Sequence, residues 1–351
     1  MKLCYRHFEP ETGAQAVVAD TAAVIGRMVA GARLTMRPYA TVRADGEHIR
    51  IGDDVYFGEH ATAHIVDARV GTVIGDAVTV ARYGVVHGCT LAAHVVVGEG
   101  AAVMDGASVG AGAVIAADSI VSPGKRLVGG WLYEGVPAQP MREISSAEGI
   151  AIASSIRIGN PSALARSRAM PPVAVEASMP HGERPAAGAG SRTLTSYVAP
   201  TARMTGDVQM GDDSGVYFGC VVDAGDGHVV IGPRSNVQDN SFLLTSKARG
   251  DLVLGVGVTV GHNVQMGSGT FNDDCLVGML SRVADGVIVE AGACLAAGAW
   301  AEPGTVVKAG WIWAGRPARP FREIRPAERA EFARGRDVYI EYGEAYRAKA
   351  S

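Results

Sequence analysis

The chain has 351 residues, a formal net charge of −4, 46 glycines and only 6% aromatic residues. A charge near zero without Lys or Arg runs gives no electrostatic footprint for nucleic acid, and glycine at about twice its usual frequency speaks for short strands and tight corners rather than a helical bundle. Five cysteines (Cys4, Cys89, Cys220, Cys275, Cys294) form no C-x-x-C pair, which argues against a disulfide framework or a thiolate zinc knuckle and fits a reducing cytoplasm. The opening residues lack an apolar signal region and no segment reaches transmembrane length, so a soluble protein with no membrane partner is expected.

From Val24 onward apolar residues recur every six positions: Val24, Ala30, Met36 and Val42, then Ile51, Phe57 and Ala63, then Ile74, Val80 and Val86. The beat continues through Val97, Val103, Val109, Ile115, Val121 and Leu127. On a helix such residues would be smeared around the cylinder. The hexad instead predicts a triangular β-helix, with one short strand and one corner per six residues and one inward apolar side chain per strand. Each coil then buries its apolar residue only by stacking on the next. Ser145 to about Arg157 reads as a short helical tail, and residues 160–192, rich in Pro, Ala, Gly and Ser, as a flexible linker.

The beat resumes at Met204, Met210, Val216 and Val222, passes through Ile231, Val237, Leu243, Leu254, Val260 and Met266, and ends with Val277, Val283, Val289, Leu295, Ala301 and Val307. Pro326 to Lys349 predicts a last helix whose stripe of Phe332, Val338, Tyr339, Tyr342 and Tyr346 packs on the flank of a β-helix. The halves hold register at an offset of 180 from Gly26/Gly206 to Pro137/Pro317, and G-W-L-Y-E-G-V-P-A at 130–138 meets G-W-I-W-A-G-R-P-A at 310–318. The chain therefore reads as a tandem duplication: a first β-helix domain at 1–159, the linker, and a second at 193–351. The expected fold class is all-β with flanking helices.

The second half contains G-D-V-Q-M-G-D-D-S-G-V-Y-F-G-C-V-V, I-G-P-R-S-N-V-Q-D-N, V-T-V-G-H-N-V and A-G-R-P-A-R. The first contains A-T-V-R-A-D-G-E-H-I-R-I-G-D-D, H-G-C and G-V-P-A. Both resemble the γ-class carbonic anhydrases, hexapeptide-repeat proteins with a left-handed β-helix. The resemblance implies a trimer-like packing of β-helices in a homo-oligomer, with Zn²⁺ or another divalent metal such as Fe²⁺ or Co²⁺ between neighbours. Two histidine ligands come from one β-helix and the third from the next. Carried over by position, the pair falls on His64 and His87 and the third ligand on His262.

Each half alone departs from that pattern. Arg82 stands where the first half would carry the third ligand, and Leu244 and Gly267 stand where the second would carry the pair. The arginine and aspartate ahead of the first histidine survive as Arg43 and Asp45 but become Asp223 and Gly225. The N-x-Q-D segment survives as Asn236, Gln238 and Asp239 but becomes Tyr56, Gly58 and Glu59 in the first half. No glutamate matches the family's proton shuttle. A site drawing on both halves has all three ligands, whereas scattered decay of a duplicated gene leaves a similar record.

Spacing adds its own argument. His64 follows Ala63 and His87 follows Val86, so both occupy one phase of the coil. Their separation of 23 is one 18-residue coil plus an excess placed in I-V-D-A-R-V-G at 65–71. Coils stacked about 4.8 Å apart let two parallel imidazoles share one ion. His262 follows Val260 by two, a different phase, so it cannot join them from the same wall. Three neutral histidines leave a position for water, which the metal acidifies for attack on CO₂, an ester or a thioester, or for proton abstraction from a small-molecule substrate. Gln238 or Asn236 would orient that water or the developing anion, and Arg82 would hold a carboxylate. Of the remaining histidines, His48, His60, His94 and His228 read as solvent or corner residues, with His60 closest in sequence to the site. Cys89 reads as a small core residue, and Glu59 and Asp67 as solvated acids. Two other functions compete: CoA-dependent acyl transfer or thioester hydrolysis with a base such as His87, and a non-catalytic assembly role.

Overall fold

The computed structural model describes residues 1–65, 71–159 and 190–350. The expected linker falls mostly outside them, as does most of the 65–71 loop with Asp67. Contacts divide the chain into two compact units, Met1–Ala169 and Met170–Ser351.

In the first unit the hexad beat becomes stacked parallel strands, most only two or three residues long. Strand Thr41–Ile51 turns a corner within its length: its start pairs with Thr62–His64 and its end with Thr72–Ile74. A separate sheet of eight strands, running from Val17–Val18 to Ala138–Glu143, supplies the third face. Register aligns the beat residues coil on coil, Val42 with Ala63, Ala63 with Val86, Val86 with Val103 and Val103 with Val121. All five are buried in one continuous column with Ile51, Phe57, Val80 and Val97. Short strands can stack this way because each backbone N–H bonds the coil above, as Gly58 N–H does to Val80 O at 2.8 Å and Thr79 N–H to Val95 O at 3.0 Å.

The corners explain the glycine excess. Each turn needs a residue in the left-handed region, which falls on Gly100, Gly106 and Gly112 at φ between +61° and +69°. Non-glycine residues take the same position at His60 (φ +54°), Tyr83 (φ +58°) and Asn263 (φ +56°). Helix α1 (Ser146–Arg157) is capped by Ser145, whose hydroxyl accepts the Glu148 N–H at 3.1 Å. Its Ile152 and Ile156, with Ile144, pack on Tyr56, Ala81, Val96 and Val114 of the eight-stranded face. Arg157 closes its end, donating to Thr79 Oγ1 and Asp54 O, each at 2.9 Å.

The second unit repeats the design. Met210, Val216, Val222, Val237, Leu243, Val260, Met266 and Val283 are buried, and register again joins Val222 to Leu243 and Leu243 to Met266. The extra residues of that last coil, described here, form a loop pinned by a bridge between Ser246 and Gly250. Ser191–Arg192, inside the range expected for the linker, form a strand beside Gln209–Met210.

Helix α2 (Pro326–Ala350) presents Tyr339 and Tyr346 to Tyr197, Tyr217 and Phe218 of the opening coils, with Tyr342 against Tyr339. Its first turns add Phe332 against Cys294, Ile312 and Ile324. All five cysteines are free thiols. Among the described residues no helix is long and apolar enough to cross a membrane.

Candidate metal centre

His64 ends strand Thr62–His64 and His87 ends strand Val85–His87, and the two are register partners on adjacent coils. Their ring centroids lie 5.3 Å apart in an edge-to-face arrangement, with both side chains buried. The shared phase read from the sequence thus places two imidazoles side by side on one wall of the first unit.

Each ring is oriented through one nitrogen by a carboxylate. His64 Nε2 stands 3.0 Å from Asp45 Oδ1, and the other oxygen of Asp45 takes Arg43 Nη1 at 2.5 Å. Arg43, Asp45 and His64 are all buried, so the guanidinium offsets the desolvated carboxylate, which in turn fixes a proton on Nε2. Nδ1 of His64 then carries the lone pair. His87 is set the opposite way, with Nδ1 2.7 Å from Asp105 Oδ1 and the lone pair on Nε2. Asp105 was not singled out from the sequence. Its one signal there is that the equivalent position, Asp285, is also an aspartate.

In the second unit His262 lies on a corner, just before left-handed Asn263, and is buried. Its Nδ1 is 3.2 Å from Asp239 Oδ2, while Asp239 Oδ1 accepts the Phe218 N–H at 3.0 Å. Nε2 lies 3.3 Å from the Tyr339 hydroxyl of α2. The tyrosine stripe of α2 does pack on the flank as the spacing implies, but Tyr339 also reaches a candidate ligand, which periodicity alone does not reveal. Gln238 and Asn236 are buried and linked: Gln238 Nε2 donates to Asn236 Oδ1 at 3.2 Å, and Asn236 Nδ2 to Thr259 Oγ1 at 3.1 Å.

The positions without histidine are filled in specific ways. Leu244 is buried and pairs in register with Asp223, replacing the His64–Arg43 pairing. At Gly267 a Cβ would lie 2.1 Å from Asp285 Oδ1. Asp285 has changed partner: its carboxylate is held by Arg249 Nε at 3.0 and 3.1 Å and by the Ser268 N–H at 2.9 Å. Partial burial pushes its pKa up, yet these hydrogen bonds outweigh it and hold the group below its usual value. Arg82 occupies the corner equivalent to His262, donates to Glu99 Oε1 at 2.8 Å and lies 5.2 Å from the Tyr83 ring. The carboxylate it holds thus belongs to its own unit.

His60 is a corner residue as expected, but a buried one, stacked between Tyr39 (4.8 Å) and Tyr83 (5.4 Å). His228 is exposed and pairs with Asp207 at 2.7 Å. Glu59 pairs with Arg37 at 3.0 Å rather than being merely solvated. Cys89 is buried, and burial, followed by the charge of Asp105, pushes its thiol pKa up, so it is no nucleophile.

The donor set suits a borderline-soft divalent ion: imidazoles with one nitrogen on a carboxylate and the other carrying the lone pair are the recurring arrangement of histidine metal sites.

No family model matches the chain. A carbonic anhydrase of Geobacillus kaustophilus is 34% identical over 154 residues, covering 44% of this chain and 84% of that protein. The mitochondrial γ carbonic anhydrase 2 of Arabidopsis thaliana is 32% identical over 160 residues, 44% of this chain, and the match spans only 58% of the plant protein's length. A solved structure provisionally described as an acetyltransferase of Desulfovibrio desulfuricans covers 98% of this chain with a TM-score of 0.59 at 13% identity, a likeness of fold alone.

Proposed function

The chain belongs to the γ-carbonic-anhydrase-like family of hexapeptide-repeat proteins, duplicated in tandem, and from that premise we propose that it is a metal-dependent lyase or hydrolase. In this reading His64, His87 and His262 hold one divalent ion, Zn²⁺ foremost, at a site composed from a first-half wall and a second-half corner, within one chain or between copies.

The observation that carries it is the partition of buried, carboxylate-oriented histidines. The two that share a coil phase lie in one half, and the one on the corner phase lies in the other. Two of the three carboxylates follow their ligands: Asp45 stands by His64 and is Gly225 in the second half, and Asp239 stands by His262 and is Glu59 in the first, while Asp105 stands by His87 and is kept in both halves. When bound, a divalent ion on three imidazoles supplies an open coordination position and acidifies water there. The chain's own groups do the rest. Asp45 and Asp105 fix the tautomer and angle of the His64 and His87 rings, and Asp239 stands by Nδ1 of His262. Gln238, backed by Asn236, would orient the water or a developing anion. Arg82, committed to Glu99, neutralises charge on its corner. The substrate is a small electrophile, CO₂ or another metabolite, and the free thiols fit a reducing compartment, which we take as the cytoplasm.

Metal analysis of the purified full chain tests this reading. It expects one equivalent of divalent metal per chain at most, lost in His64→Ala, His87→Ala and His262→Ala alike. Retention of the metal by His262→Ala would remove the composite site and the enzyme proposal with it.

A further inference from the structure

The Tyr339 hydroxyl stands 3.3 Å from Nε2 of His262, inside the second unit, and both groups are buried. Asp239 Oδ2 lies 3.2 Å from Nδ1 of the ring, and the phenol meets Nε2. In the tautomer that carries its lone pair on Nε2, the phenol is the donor and Nε2 the acceptor. That lone pair is also the one a divalent ion would take from this residue.

The phenol is held where it is. Tyr339 packs edge-on against Tyr217 at 4.9 Å and Tyr342 at 5.5 Å. The Tyr217 hydroxyl donates to the backbone carbonyl of Tyr339, so ring and main chain of this turn are tied to the same coil. One turn later Tyr346 stacks on Tyr197 at 5.2 Å, and toward the helix start Arg336 pairs with Asp274 and Arg234 with Asp337. The position 180 residues before Tyr339 is Gly159, beyond the end of α1 at Arg157, so the first half carries no tyrosine at the equivalent position. The tyrosine therefore belongs to the half that carries the single corner histidine.

We propose that Tyr339 competes with the divalent ion for Nε2 of His262, so that helix α2 sets the metal affinity of the site; this rests on the reading of His262 as a ligand. Binding the ion requires the O–H···N bond to be given up. Removing the hydroxyl while keeping the ring lifts that requirement, and a buried neutral hydrogen bond corresponds to a change of about two- to tenfold in a dissociation constant.

The test is zinc affinity of the full chain, measured by competition with a chromogenic chelator, for wild type, Tyr339→Phe and His262→Ala. Tyr339→Phe is expected to bind zinc about two- to tenfold more tightly; equal or weaker binding overturns the proposal. A second measurement needs no variant. Zinc added to the wild-type chain is expected to perturb tyrosine ultraviolet absorption as the phenol loses its acceptor, and a flat difference spectrum at saturating zinc also overturns it. His262→Ala separates the two levels. If that variant binds zinc like wild type, the ligand reading itself fails; if it loses zinc while Tyr339→Phe is unchanged, only the competition fails.

Discussion

Asp105 and Asp285 occupy equivalent positions of the two halves, so the same substitution at each separates a ligand-orienting role from a structural one. Asp105 Oδ1 accepts from His87 Nδ1 at 2.7 Å. In Asp105→Asn the amide can present a donor to Nδ1, favouring the tautomer with the proton on Nε2, the nitrogen that should carry the lone pair. Loss of such an outer carboxylate lowers metal affinity about 10–100-fold, or about 1.4–2.7 kcal/mol. Asp105 is half exposed, so the metal-free stability should fall by no more than about 1 kcal/mol. Asp285 serves Arg249 and the loop at Ser268 instead, so Asp285→Asn should cost about 1 kcal/mol of stability and leave metal affinity unchanged. Zinc competition and metal-free thermal melts on both variants read the contrast. If Asp105→Asn binds zinc as tightly as wild type, or Asp285→Asn loses zinc equally, the assignment of roles to the two halves is wrong.

Three further outcomes follow from packing and charge. Val103→Ala, at a fully buried position in register with Val86 and Val121, should destabilise the first unit by about 2 kcal/mol, seen as an earlier melting transition; an unchanged transition would deny the stacked column its role. Glu328, in the first turn of α2, is held down to about 2 by hydrogen bonds from Arg322 and the Arg325 N–H. A folded pKa below the unfolded one contributes stability that is present above about pH 4.5 and lost as pH falls towards about 2. Because the group is partly exposed, Glu328→Gln should remove about 1 kcal/mol or less at pH 7 and flatten that acid limb; an identical acid profile contradicts the assignment. Thiol titration with a disulfide reagent at pH 8 should label Cys4 first and Cys89, Cys220, Cys275 and Cys294 only on unfolding, and rapid labelling of Cys89 would contradict its burial.

The β-helix was legible because only one geometry turns a six-residue apolar beat into a buried column. Val80, Val86, Val97 and Val103 are apolar at the position of each strand whose side chain joins the buried column. The same arithmetic brought His64 and His87 together, since residues that follow register-paired strand positions must themselves be neighbours. What the beat cannot show is which corner residues turn back toward the site. Asp105 sits among corner aspartates and glycines and reads as one more turn residue, and Tyr339 reads as one ring in an apolar stripe. Both act through side-chain direction, which spacing does not encode. Arg82 is expected from the sequence to hold a carboxylate at the site, and the carboxylate it meets in the structure is Glu99, one coil away in its own unit.

The account rests on one ion shared by histidines from the two halves of a duplicated sequence. Anomalous diffraction from crystals of the zinc-loaded protein tests that directly. It should show one ion bonded at about 2.0–2.1 Å to a nitrogen of each of His64, His87 and His262. An ion held by His64 and His87 alone, with the His262 ring of every copy turned elsewhere, would contradict it.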